Sequence, residues 1–275
     1  MPIGKIVRNS LPFSNVVATG QATNQITIGK TLNNMQLNLG GTALTKANIN
    51  MFRLQANGKT IFEGSGTQID LINKYRGITG ADNFLDIAFE DLTGLDQLDR
   101  MIGALDTSFG ISNLSTAVDI AGATAPMLSA QLHEAAPQRT ADGGFAPFSG
   151  LIAKQLRYGF SVSASGELPL NFPFGKTGAI IKRVHVFHGG HVIGALVKED
   201  GRVIHESTLA KNEYEQIRHG RVPQVGVYTI DFVLDGNVRN AFDTRSAQSV
   251  EWIFTTDAAD SGYVVIEYLD TLGNL

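Results

Sequence analysis

His185, His188 and His191 fall three residues apart, a spacing that invites a metal site. In a strand, residues three apart point to opposite faces, so His185 and His188 should diverge. His188 and His191 flank Gly189-Gly190 and should face each other across a two-residue hairpin, about 5 Å apart. Two imidazoles without a third ligand make a poor metal site, and an exposed or interfacial pair fits better. Gly-Lys-Thr occurs at Gly29, Gly58 and Gly175. A phosphate loop also needs a glycine five residues earlier, and those positions hold Asn24, Arg53 and Leu170. Nucleotide binding is excluded at all three. Asp106-Thr107 and Asp243-Thr244 could supply paired carboxylates, but an aspartate followed by threonine is better read as a turn or helix cap. The acidic stretch Glu90-Asp91, Asp96 and Asp99 carries oxygen ligands suited to calcium, without the spacing of a calcium loop. No Gly-x-Ser-x-Gly elbow is present. The residues therefore offer no catalytic, cofactor-binding or metal site, and the chain does not read as an enzyme.

The elements around these residues are organised by a duplication. Asn57-Gly58-Lys59-Thr60-Ile61-Phe62-Glu63 returns as Asp200-Gly201-Arg202-Val203-Ile204-His205-Glu206, with the glycines 143 residues apart. Each copy predicts a tight turn and an outgoing strand. A helix-like segment follows each, Thr67–Gly77 and Ala210–Gly220; in the first, Ile69, Ile72 and Tyr75 share a face. Collinear pairs flank the repeat: Leu37-Asn38-Leu39 with Leu170-Asn171-Phe172, Asp106-Thr107 with Asp243-Thr244, and Asp119 with Asp257. Two tandem copies of one domain explain the pattern.

Alternation of polar and apolar residues over Gln25–Leu39, Asn48–Gln55, Asn83–Glu90, Leu156–Ser163, Val225–Leu234, Val250–Thr255 and Tyr263–Leu269 predicts short strands. The fold class is all-β with short helices, as sandwiches or jelly rolls. Residues 1–24 read as an N-terminal arm, 25–135 as the first copy, 136–150 as a Pro- and Gly-rich linker, and 151–275 as the second copy. The interval Asn171–Gly201 exceeds Asn38–Gly58, which predicts an insertion around Gly189-Gly190. A formal charge of −4 argues against coating nucleic acid. Cysteine is absent, which removes disulfides and thiol chemistry. No signal peptide or membrane span is evident, so a cytoplasmic setting is expected before any assembly.

The block Gln36–Gly77, above all Asn48–Glu63, and the run Gly226–Asp235 resemble the double jelly-roll major capsid proteins of tailless icosahedral viruses. The similarity is greatest to the corticovirus-type bacteriophages, which enclose a membrane. The resemblance implies two eight-stranded jelly rolls, a homotrimer of pseudo-sixfold outline that tiles a virion shell, and vertex and membrane-associated partners. It implies that structural calcium is possible. It places Lys5 and Arg8, beside Ile3, Ile6 and Val7, against lipid headgroups or a neighbouring trimer. Two alternatives differ in class. A receptor- or carbohydrate-binding phage spike would expose an aromatic platform, yet Trp252 is the only tryptophan and lies in a strand-like run. A bicupin-type metalloenzyme would gather His and Glu ligands on one inward face, and no such set assembles.

Overall fold

In a computed structural model, the protein is described over residues 5–138, 150–172 and 178–274. It divides into two compact units. The described residues of Met1–Asn73, Ile78–Leu156 and Asp270–Leu272 form the first. Those of Lys74–Gly77, Arg157–Leu269 and Gly273–Leu275 form the second.

From the N-terminus the elements run β1 (Ile6–Asn9), β2 (Gly20–Gln25), β3 (Thr31–Ala43), β4 (Ile49–Ala56), β5 (Lys59–Gly64), α1 (Gly66–Tyr75), β6 (Phe84–Ala88), α2 (Gln97–Met101), β7 (Leu105–Asp106), β8 (Leu114–Ile120) and β9 (Thr124–Ala135). They continue as β10 (Ile152–Val162), β11 (Gly166–Leu170), β12 (Ile180–Phe187), β13 (Val192–Glu199), β14 (Arg202–Thr208), α3 (Leu209–Arg218), β15 (Val227–Asp231), β16 (Phe242–Asp243), β17 (Val250–Thr256) and β18 (Asp260–Asp270).

The first unit has strand orders β1-β9-β3-β6 and β2-β8-β4-β5, with β7 against β3. The second has β15-β12-β18-β10 and β11-β17-β13-β14, with β16 against β12. Adding nine to every strand label converts one unit into the other. Each is a jelly roll, and the duplication read in the sequence holds at the level of topology. The fold class stands as expected.

The period-two pattern builds both cores. Along β3, Met35, Leu37 and Leu39 are buried while Gln36 is half-buried and Asn38 exposed; along β12 and β18, Val184, Val186, Val264 and Ile266 fill the second core. Trp252 is buried against Phe172, Phe232 and Phe242, with ring centroids 5.7, 6.3 and 6.1 Å away. It therefore cannot serve as a sugar platform.

Three expectations fail. The segment 1–24 is no arm from Ile6 onward: β1 pairs with β9, Ile6 opposite Glu134, and β2 pairs with β8. These strands lack strong periodicity, and their partners lie 90 or more residues away. Gly189-Gly190 is not a hairpin turn either. Its flanking strands enter different sheets, β12 beside β18 and β15, β13 beside β17 and β14. Finally, the counterpart of β3 is β12, so Leu37–Leu39 do not correspond to Leu170–Phe172 at the end of β11. Measured from strand start to turn glycine, Ile180–Gly201 is shorter than Thr31–Gly58, which removes the supposed insertion. Of the linker 136–150 and of Gly175-Lys176-Thr177, residues 139–149 and 173–177 lie outside the described residues.

Candidate functional site

His185 and His188 diverge, as their strand spacing requires, while His188 and His191 stay near one another at the Gly189-Gly190 corner. His185 is fully buried in the second unit, with Nδ1 3.0 Å from Thr229 Oγ1 and Nε2 2.9 Å from Glu267 Oε1. His188 Nδ1 accepts the N–H of Gly190 at 3.0 Å, which holds the ring neutral. Burial pulls its pKa down further, against the opposing pull of Asp260. His191 is half-exposed and pairs with Asp257 at 2.9 Å. The residue that organises this corner is Asp260. Its carboxylate accepts N–H bonds from Gly189 (2.8 Å), His191 (3.0 Å) and Ser261 (2.7 Å). Burial raises its pKa, but these donors outweigh that and hold the group below the usual carboxylate range. The two imidazoles thus serve different carboxylates across a chain corner. Among the described residues no group of three His, Asp or Glu could hold a metal ion.

His185 belongs to a buried charge cluster that the sequence reading missed. Arg183 Nε donates to Asp231 Oδ2 at 3.0 Å and its Nη1 to Glu267 Oε2 at 3.3 Å. Arg76, which belongs to the same unit, donates to Glu267 as well, and Tyr75 Oη donates to Asp231 at 3.0 Å. Arg221 stands 3.6 Å from Asp231. The charged side chains here are at most 9% exposed. Burial pushes the Glu267 pKa up, yet Arg76, the hydrogen bond to His185 and Arg183 together hold it well below the ordinary value. Burial, reinforced by Asp231, pushes the Tyr75 phenol upward. A substrate could not reach groups so enclosed. The cluster instead fixes the register of β15, β12 and β18. Arg183 and Glu267, opposite charges abutting the apolar runs Val184–Val186 and Val264–Ile266, were its sequence signal.

The other candidates resolve into local structure. Asp106 Oδ1 accepts the N–H of Ser108 and Asp243 Oδ1 that of Arg245, the Asx turns expected of them. In the acidic stretch, Asp91 Oδ1 accepts from Thr93 N–H and hydroxyl, and Asp96 Oδ1 from Asp99 N–H. Those oxygens are turned onto donors of their own loop, which does not suit a converging calcium site. Arg8 is held by the buried carboxylate of Glu134 through two 2.7 Å bonds and is not a free lipid contact. A surface depression of about 440 Å³ is lined by Leu11, Gln21, Thr23, Asn24, Gln55 and Ser115, among others, and no titratable side chain enters it.

Two jelly rolls of one topology define a β-protein of the doubled jelly-roll class. The chain belongs to the viral coat protein P2 family: the N-terminal domain model matches residues 7–133 and the C-terminal domain model residues 152–272. It is a coat protein, not an enzyme, and the resemblance read in its sequence is confirmed. The fold matches the crystal structure of the major capsid protein P2 from bacteriophage PM2 with a TM-score of 0.84 and 19% identity, over 98% of both chains. It matches the atomic structure of Sulfolobus turreted icosahedral virus at 0.70 and 15%, covering 98% of this chain and 91% of that one. The PBCV-1 virus capsid matches at 0.60 and 11%, over 98% and 95%. No curated protein matches in sequence.

Proposed function

We propose that the chain is the shell-forming subunit of an icosahedral phage capsid, associating as a homotrimer of pseudo-hexagonal outline. The observation that carries this is the strand-for-strand duplication. Three copies of a doubled domain present six similar lobes, which fits positions of sixfold-like symmetry in a lattice. Synthesis in the host cytoplasm suits a chain that has no cysteine to oxidise. The shell is proposed to lie over an internal membrane and to meet separate vertex proteins, without specific nucleic-acid contact. At the N-terminus, Lys5 and the half-exposed Val7 remain for a headgroup contact, whereas Arg8 does not. Deleting residues 1–5 should then weaken flotation with anionic vesicles, and unchanged flotation refutes that contact.

Light scattering on the purified chain tests the trimer. A species near 88 kDa, three times the 29.5 kDa chain, supports it, and a stable monomer or dimer overturns it. Electron microscopy of that species should show a six-lobed outline. The spike alternative loses its basis with Trp252 buried.

A further inference from the structure

α1 and α3 hold the same place in their two units. Asn73 Nδ2 donates to Asp86 O at 2.8 Å, and Gln216 Nε2 donates to Thr229 O at 2.7 Å. Both donor and acceptor shift by the same 143 residues. Each helix ends at a glycine of positive φ, Gly77 at 81° and Gly220 at 73°. Their surroundings nevertheless differ. In α1, Ile69, Ile72 and Tyr75 are buried, and the last turn, Lys74–Gly77, is part of the second unit. There Tyr75 and Arg76 close over Asp231, His185 and Glu267. In α3 the buried side chains are Asn212 and Gln216, while Tyr214 is 63% and Ile217 61% exposed. Val222 and Val225 extend that apolar surface beyond the helix. A helix that buries its amides and displays its tyrosine and isoleucine has a face without a partner.

Strand register identifies the surface that corresponds to the one Tyr75 and Arg76 cover. The β3–β9 ladder is interrupted between Leu32 and Asn34, the β12–β18 ladder between Ile181 and Arg183. Asn34, Gln36, Asp86 and His133 therefore occupy the positions of Arg183, His185, Thr229 and Glu267. They are only half-buried, where Arg183, His185, Thr229 and Glu267 are buried. Asn34 Oδ1 and His133 Nε2 are nonetheless shut from solvent with no hydrogen-bond partner. Asp86 takes amide donors from Asn34 and Gln36 and forms no ion pair among the described residues. Arg218, at the tip of α3, pairs with the exposed Glu215 and lies over the Tyr214 ring, both of its own helix, and forms no other ion pair among the described residues.

We propose that the last turn of α3 in one copy seats on the outward face of β6, β3 and β9 in a second copy, over the positions that correspond to those Tyr75 and Arg76 cover. Tyr214 and Ile217 supply the apolar contact, and Arg218 and His219 bring donors to Asp86 and Asn34. The contact is heterologous, so repetition by a threefold closes a ring. It rests on the coat-protein reading and names the surfaces that reading requires.

The double variant Y214E/I217E changes only exposed side chains. It should keep the wild-type circular dichroism and run at 29.5 kDa where the wild type runs near 88 kDa. A variant that stays trimeric overturns this contact and leaves the coat-protein reading standing. A monomeric wild type defeats the trimer itself. The absence of cysteine permits a second test. R218C mixed with H133C and a short bis-maleimide should give a covalent dimer. Cross-linking of R218C alone to the same extent shows a symmetric contact and overturns the proposal.

Discussion

Asn57 and Asp200 perform one task in two units. Each sits in the left-handed region, at φ 52° and 47°, before a glycine at 78° and 81°. Each aims a side-chain oxygen at two consecutive backbone N–H groups: Ser112 and Asn113 at 2.8 and 3.2 Å, Gln248 and Ser249 at 3.0 and 2.7 Å. The turn residue of the β4–β5 or β13–β14 hairpin thus anchors the loop that leads into β8 or β17.

Asn57→Ala should lose these acceptors and strain the left-handed backbone, costing about 2 kcal/mol in urea unfolding. Asn57→Gly relieves the strain and should cost about 1 kcal/mol less. Asp200 should show the same order. Equal losses for alanine and glycine at both sites would refute the strain component.

Thr107 and Thr244 form a second duplicated device. Thr244 Oγ1 accepts the N–H of Ala179 at 2.9 Å and donates to its carbonyl at 2.8 Å. Thr107 Oγ1 accepts from Gly29 at 2.9 Å and donates to the carbonyl of Lys30 at 2.6 Å. Valine at Thr244 keeps the shape and leaves the buried Ala179 N–H unpaired, costing about 1–3 kcal/mol, whereas valine at Thr107, whose partner Gly29 is exposed, should cost less. Serine keeps the hydroxyl and should recover most of that loss. Calorimetry of the four single variants decides it.

The Arg183–Glu267 pair is buried, so removing one partner strands the other. Arg183→Met and Glu267→Gln should each cost about 3–5 kcal/mol. The loss should be nearly the same at low and high salt, because buried pairs are poorly screened. Glu267 is held below its unfolded pKa, so its stabilisation is complete above the ordinary carboxylate range. It is lost as pH falls through the depressed folded value. A contribution of Glu267 that grows as pH falls through the carboxylate range would contradict this sign.

Burial lowers the His205 pKa to about 4 from 6.5. The unfolded chain takes up the proton first, so stability should fall as pH drops from about 6.5 to 4, by up to about 1.4 kcal/mol per pH unit. His188, lowered by burial too, adds in the same direction. His205→Gln should flatten part of that slope. An unchanged slope between pH 6.5 and 4 refutes the assignment.

Local chemistry made the duplication legible. Asn-Gly and Asp-Gly turns need positive φ at both residues, and few residue pairs supply it. Alternation along β3, β4 and β17 follows from the strand period alone, so those strands could be read directly. The helix of each copy was legible too, but not its environment. Ile69, Ile72 and Tyr75 advertise a buried face, whereas α3 reads as polar and hides Asn212 and Gln216 because the carbonyl of Thr229 rewards them.

From the sequence alone came two copies, all-β character, tight turns and the coat-protein resemblance, because propensity, periodicity and turn chemistry act over a few residues. The partners of β1 and β2, the passage of the chain from one sheet to another at Gly189-Gly190, and the cluster of Arg183, Asp231 and Glu267 were decided only in the folded chain. Ile6 meets Glu134 and Arg76 meets Glu267 across more than a hundred residues. Such pairings depend on which strands the closed sandwich brings side by side, and no local spacing encodes that.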